Sequence, residues 1–330
     1  MSGDTRINVD EPRWDQGTFL GRLQYFASIT NPANALHTNA QLYAARDLLD
    51  QYRSHAEPTT TTADEVHRAQ ALYRSAFHPD SGELQNVIGR MSFQMYGGTS
   101  ICAAMMIFYR SNAAVIFWQW INQSFNALVN YTNRNAKSSL TEKQITVAYV
   151  SATGSALVTA LGLKKVLAHR ASSLMQRFVP YAAVAAANCV NIPLMRQNEL
   201  TEGLEVHDEQ GNAVGKSRLA AAKGITLVTI SRIGIVTPCM LLIPVIVEKL
   251  ETIPWYIRRQ RALNIPIQLG LTAIGYAGLV PACCAMFPQK NSISTSTIRR
   301  IEPLRYDEVY ELRAKQGLPV PDRVYFNKGL

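Results

Sequence analysis

Residues 91–109, 111–133, 144–163, 178–195 and 262–287 carry no Asp, Glu, Lys or Arg, and a sixth run, 224–247, carries Arg232 alone. A helix needs about 17 to 25 mostly apolar residues to cross the hydrocarbon of a bilayer. No water is present there to bond exposed backbone, so a run of this length takes the one local form that satisfies its own donors and acceptors. The runs hold more Ala, Gly, Ser and Thr than contact with lipid alone requires, which suits close packing of helix on helix. Ala152, Ala156 and Ala160, with Ser151 and Ser155, show that spacing best. The pattern predicts an all-α polytopic membrane bundle of about five transmembrane helices, plus an amide-rich amphipathic or re-entrant helix.

Charge supports this division. Asp, Glu, Lys and Arg make up 17% of the chain, against about 25% in soluble domains. They gather in a polar N-terminal region (1–90), in short connectors, in a polar loop (196–223) and in a C-terminal tail (288–330), leaving 91–287 as the transmembrane domain. The formal charge of +9 is spread over connectors on both sides of the spans. No basic patch with interleaved aromatics emerges, so nucleic acid is not an expected partner; membrane lipids are. Acidic residues Asp4, Asp10, Glu11 and Asp15 argue against a secretory signal or a cleavable transit peptide at the start.

The run 111–133 is unusual. On a helix, Asn112, Gln119, Asn122, Gln123, Asn126, Asn130 and Asn133 fall within an arc of about 100°, while Trp118, Ile121, Phe125, Leu128 and Val129 take the other side. Each amide offers two donor hydrogens and an acceptor oxygen. Such a stripe either fixes helix packing or lines a path for a small polar solute.

Polar and helix-breaking residues interrupt other runs. Asn188, Asn191 and Pro193 lie near the end of one, Pro238 and Pro244 fall in the second half of the run that holds Arg232, and Pro266, Gln268 and Pro281 punctuate the last. Proline breaks are expected to free backbone carbonyls and to create half-helix N-termini, and an intramembrane arginine either marks a functional site or snorkels from a span end. The cysteines, Cys102, Cys189, Cys239, Cys283 and Cys284, all fall in apolar runs and read as small buried hydrophobes, with no metal-ligand spacing and no cofactor motif.

In the polar region Thr38 with Gln41, Thr62 with Glu65 and, further on, Thr141 with Gln144 have the spacing of a capping box. Asp80 with Glu83 suggests another helix start, leading through Arg90 into the first span. Leu204–His207 and 213–216, flanking a polar Gly-containing turn, predict a small hairpin.

Several unusual strings carry a resemblance: Glu11-Pro12-Arg13-Trp14-Asp15-Gln16, the turn from Ala76 to Glu83, Trp118-Gln119-Trp120-Ile121-Asn122-Gln123-Ser124-Phe125-Asn126-Ala127, the stretch from Ala185 to Arg196, and the closing Val324-Tyr325-Phe326-Asn327-Lys328-Gly329-Leu330. With these the chain resembles the sideroflexin family along nearly its whole length. The resemblance implies a multi-pass carrier of the mitochondrial inner membrane that moves serine and other small neutral amino acids such as alanine and cysteine. Such a carrier feeds one-carbon metabolism and is no enzyme. Ser81 stands where the family pattern has Thr, and 135–140 diverges.

On that reading the expected substrate is a zwitterion. Asn122, Gln123, Asn126 and Asn130 meet its hydroxyl, Arg232 its carboxylate, and the segment around Asn188 and Asn191 its ammonium. The competing readings are an inner-membrane assembly scaffold and a tricarboxylate carrier. A citrate trianion calls for clustered cations, which the amide stripe lacks.

Overall fold

The computed structural model describes residues 6–79, 81–133, 141–167, 172–315 and 317–329. The polar N-terminal region holds α1 (Phe19–Ile29), α2 (Asn39–Arg53) and α3 (Ala63–Ala76). Both capping boxes form: Thr38 and Thr62 each accept from the backbone N–H three residues on, at 3.3 Å, and the Gln41 and Glu65 side chains bond back to the cap N–H. Leu42, Leu49, Val66, Leu72 and Phe77 close a small core between α2 and α3.

The helix start expected at 80–83 does not form. His78 N–H donates to the Glu83 carbonyl and the His78 carbonyl accepts from Gly82 N–H, both at 2.9 Å, so the loop closes on itself and Phe77 bridges to Leu84. Gly82 turns it with a φ of 68°, a conformation that costs glycine little. Asp80 lies outside the described residues. Two short 3-10 turns, Val87–Gly89 and Met91–Phe93, then lead into the bundle, with buried Arg90 donating to the Gln85 carbonyl and to Asn39.

The membrane domain is a ring. It contains α4 (Gln94–Phe108), α5 (Asn112–Thr132), α6 (Glu142–Leu167), α7 (Ser173–Arg177), α8 (Val179–Met195), then α9 (Gln197–Glu202) in the polar loop, α10 (Arg218–Leu250) and α11 (Pro254–Ala285). α4 packs on α5, α5 on α6, α6 on α8, α8 on α10, α10 on α11, and α11 back on α4. Among the described residues, four helical segments are long and apolar enough to cross a membrane: α6, α7–α8 (Leu174–Met195), α10 and α11. The α4–α5 hairpin, turned at Tyr109–Ser111 with Ser111 capping α5, completes the ring.

Two sequence features explain the closeness of this packing. Ala148, Ala152, Ala156 and Ala160 form one buried ridge of α6, against Val179 and Ala183 of α8 at its end. On α4 the adjacent Gly97 and Gly98 each admit an aromatic ring, Phe125 from α5 and Tyr276 from α11. A β-carbon at these positions would lie 2.3 Å and 2.5 Å from the rings.

The prolines do not break the helices. α10 runs unbroken through Pro238 and Pro244, and α11 through Pro266 and Pro281. Each proline removes one hydrogen bond from a helix held on several sides by neighbours, so no half-helix N-terminus arises. At 33 residues, α10 is about 50 Å long, against about 30 Å of hydrocarbon. Nearly half of it, from Arg218 to the neighbourhood of Ser231, extends beyond the end of α11, since Gly234 sits beside Cys283.

That overhang carries a small α/β layer. The predicted hairpin forms as β1 (Leu204–His207) and β2 (Ala213–Ser217), and the tail adds β3 (Lys290–Ser294), α12 (Thr295–Ile301), α13 (Pro303–Lys315) and β4 (Arg323–Asn327). The antiparallel order is β2-β1-β4-β3. Val206, Val214, Ala220, Ile298, Val309, Val324 and Phe326 are its core. A buried pair, Arg313 Nη2 to Asp208 Oδ2 at 2.5 Å, ties α13 to the hairpin turn.

Candidate functional site

α5 turns its amides to the bundle, with Val115, Phe125 and Val129 beside them, and one apolar face outward. Gln119 and Gln123 are 0% and 2% exposed, whereas Ile116, Phe117, Trp120, Leu128 and Tyr131 are 38% to 49% exposed. A soluble helix does the reverse. Next to lipid an outward apolar side chain costs nothing, while an amide needs a partner that only the interior supplies.

The stripe divides by the company each amide keeps. Asn112 stands exposed at the start of α5. Asn133 is structural: it accepts from Gln85 and donates to the Gly89 carbonyl, both at 2.8 Å, pinning the end of α5 to the turn before α4. Gln119 donates to the Tyr109 hydroxyl at 2.7 Å, but its Oε1 is buried without a partner, and so is Nδ2 of Asn122. Each such orphan costs about 1–3 kcal/mol relative to a satisfied group. Asn126 and Asn130 are partly buried further along the same face. Ser124, off the stripe, shares a hydrogen with the Tyr149 hydroxyl of α6 at 2.9 Å.

Of the other candidate residues, Asn191 is buried and Asn188 half-buried on α8, which shares α6 as a neighbour with α5. Arg232 lies elsewhere. α10 packs against α8, α11 and α4, and Arg232 sits within electrostatic reach of Cys284 at the end of α11. It lies near the end of α11, two residues from Gly234, which sits beside Cys283. The structure thus groups the α5 amides together and seats Arg232 apart.

A second polar line went unread in the sequence. Along α11, Tyr256 donates to Asn264 Oδ1 at 3.2 Å, Gln268 Nε2 donates to the same oxygen at 2.7 Å, and the Thr272 hydroxyl bonds the Gln268 carbonyl at 2.6 Å. Tyr276 follows one turn on. The four-residue spacing was the available signal, obscured by the intervening prolines. Thr99 Oγ1 on α4 and Ser231 Oγ on α10 are further buried polar atoms without partners.

The cysteines are all free, but Cys189 faces outward and Cys284 is only partly covered, so two of the five are not the buried hydrophobes expected. Both follow helix geometry: an outward position on a membrane helix is apolar too, and a thiol tolerates it.

Against known proteins, a sequence profile of the sideroflexins matches residues 8–330. Sideroflexin-2 of Drosophila melanogaster is 52% identical over 326 residues, covering 99% of this chain and 98% of that protein. Sideroflexin-1 of Ovis aries is 49% identical over the full length of both, and Sideroflexin-3 of Bos taurus 48% identical over 98% of each. These near-equal identities do not single out one numbered member. No solved structure matches the chain.

Proposed function

The chain belongs to the sideroflexin family, and from that premise we propose that it is a multi-pass carrier of the mitochondrial inner membrane. Its substrate is serine, with alanine and cysteine as further small neutral amino acids, delivered to one-carbon metabolism. The observation that carries this reading is the pair of orphaned amide atoms, Gln119 Oε1 and Asn122 Nδ2, facing into the ring of helices on α5. One is an acceptor and the other a donor, which a hydroxyl or an ammonium can satisfy and an apolar solute cannot. Gln123, Asn126 and Asn130 extend the same face, with Asn188 and Asn191 as candidates on α8. Binding there requires no covalent chemistry.

A tricarboxylate fits less well, because the described part of the amide face carries no cation. The test is counterflow of labelled serine in proteoliposomes, with citrate as competitor. Wild-type protein is expected to exchange serine, and replacement of Asn126 and Asn130 together by Leu to abolish exchange while leaving insertion intact. Normal exchange by that variant sinks the assignment of the stripe; exchange of citrate in place of serine sinks the substrate.

A further inference from the structure

The closing string of the chain, part of the family signature, has no role in the reading above, yet Lys328 within it is buried. Beyond β4 the backbone N–H of Lys328 donates to the Gln289 carbonyl at 2.8 Å, and the Lys328 carbonyl accepts from Arg196 Nη1 at 2.8 Å. Gly224 of α10 lies against that carbonyl, and Gly329, with φ at 80°, against the Arg196 guanidinium. The tail is thereby stitched to the junction of α8 and α9 and to the segment after α11, with α10 against it, and Lys328 is left 1% exposed.

Buried ammonium groups are costly unless paired. Burial pushes Lys328 below the usual lysine range, and the nearby Arg22, Arg196 and Arg232 push the same way. Two of those arginines are committed. Arg196 holds Glu199 through Nε at 3.0 Å and through Nη2 at 2.5 Å. Arg22 donates to the Ala285, Gln16 and Gly17 carbonyls at 2.8–3.0 Å, fastening the N-terminal segment to the end of α11.

Lys328 and Arg232 are the remaining cations, and among the described residues neither side chain has a hydrogen bond or an ion pair. Gln289, joined to Lys328 through the backbone, has Nε2 buried without a partner as well. The orphans are all donors. Such a set calls for an anion, and with Cys284 within electrostatic reach of both cations and Cys283 and Met286 against Gly234, two residues from Arg232, it calls for a small one.

We propose that Lys328 and Arg232, helped by Gln289, form a seat for a small carboxylate where α10, the end of α11 and the C-terminal tail meet. Two oxygens then face two cations, and the tail acts as the wall that brings the second cation in. The amino-acid carrier reading enters only in naming the ligand: on it, the seat is a second station for the substrate's carboxylate, separate from the α5 amides, since α10 does not pack on α5.

The test uses the full chain in detergent micelles and follows its thermal unfolding midpoint against glycolate, with ethylene glycol as the control lacking a carboxylate. Glycolate is expected to raise the midpoint saturably and ethylene glycol to leave it unchanged. Lys328→Gln and, as a second variant should that one fold poorly, Arg232→Gln should each weaken the apparent affinity about tenfold or more, the loss of one charge-assisted hydrogen bond. Lys328→Arg should retain it. No response to glycolate, an equal response in the Gln variants, or a response to inorganic phosphate in its place overturns the proposal. Serine run in parallel separates the two readings: a Lys328-dependent response to glycolate without one to serine leaves the seat standing and removes serine as its occupant.

Discussion

Gly98→Ala tests the central packing claim, that α4 is thin so that rings from both flanks can enter it. In a helix interior, alanine in place of glycine stabilises by about 0.5–1 kcal/mol through backbone entropy. At Gly98 the added carbon meets Tyr276 Cε1 at 2.5 Å and Cδ1 at 3.1 Å. Tyr276 is 5% exposed and packed with Met95, Cys102, Cys239 and Val280, so its ring has nowhere to retreat. Overpacking a filled interior costs about 1–3 kcal/mol, and the net expectation is a loss of about 0.5–2 kcal/mol. Gly154→Ala is the matched control: nothing lies within 4 Å of a β-carbon there, so only the entropic gain remains. Thermal unfolding of both variants in micelles should move the midpoints in opposite directions. Adding Tyr276→Leu to Gly98→Ala should recover part of the loss as a coupling of about 0.5–3 kcal/mol. A Gly98→Ala protein stabilised as much as Gly154→Ala would refute the reasoning.

Thr62→Ala removes a reciprocal cap and should cost the α2–α3 core about 1 kcal/mol, read as faster proteolysis near Thr59–Thr62. Arg22→Gln loses charged donors to three carbonyls on both sides of the junction with α11 and should release the N-terminal segment to protease, with the bundle's own transition retained. Asp208 is held well below the usual carboxylate range by the Asn212 side-chain amide, against the opposing effect of burial, and by Arg313. Because the folded-state pKa is depressed, its stabilisation is present above the unfolded value of about 3.9 and is lost as pH falls further. Hydrogen exchange in β1 and β2 should therefore stay slow from neutral pH to about pH 5 and rise in stronger acid, whereas Asp208→Asn should exchange fast throughout.

Much of the helical architecture was legible because it is written locally. Span-length uncharged runs, the alanine ridge of α6 and three capping boxes each depend on neighbours three or four residues away, and the structure contains them, the Thr141–Gln144 pair included. The amide stripe was legible as a face of α5 for the same reason. Where it points was not, since the same helix in water would turn its amides outward.

The misreadings arose where distant partners decide. Asp80 and Glu83 have the spacing of a cap, but the bonds between His78 and Glu83 close the backbone into a loop first. Prolines 238, 244, 266 and 281 looked like breaks because one lost hydrogen bond weighs heavily on an isolated helix, and lightly on one packed from several sides. The tail looked merely polar. Its strand β4 finds β1 more than a hundred residues upstream, a pairing no local pattern reveals.

The sequence by itself determined that this chain is a bundle of membrane helices with one amide-lined face, because length, apolarity and helical period are properties of contiguous residues. Only the tertiary structure decided which amides remain without partners, that Arg232 lies near the end of α11 and away from α5, and that Lys328 is buried. Those are facts of desolvation, set by what packs around a group rather than by the residues next to it in the chain.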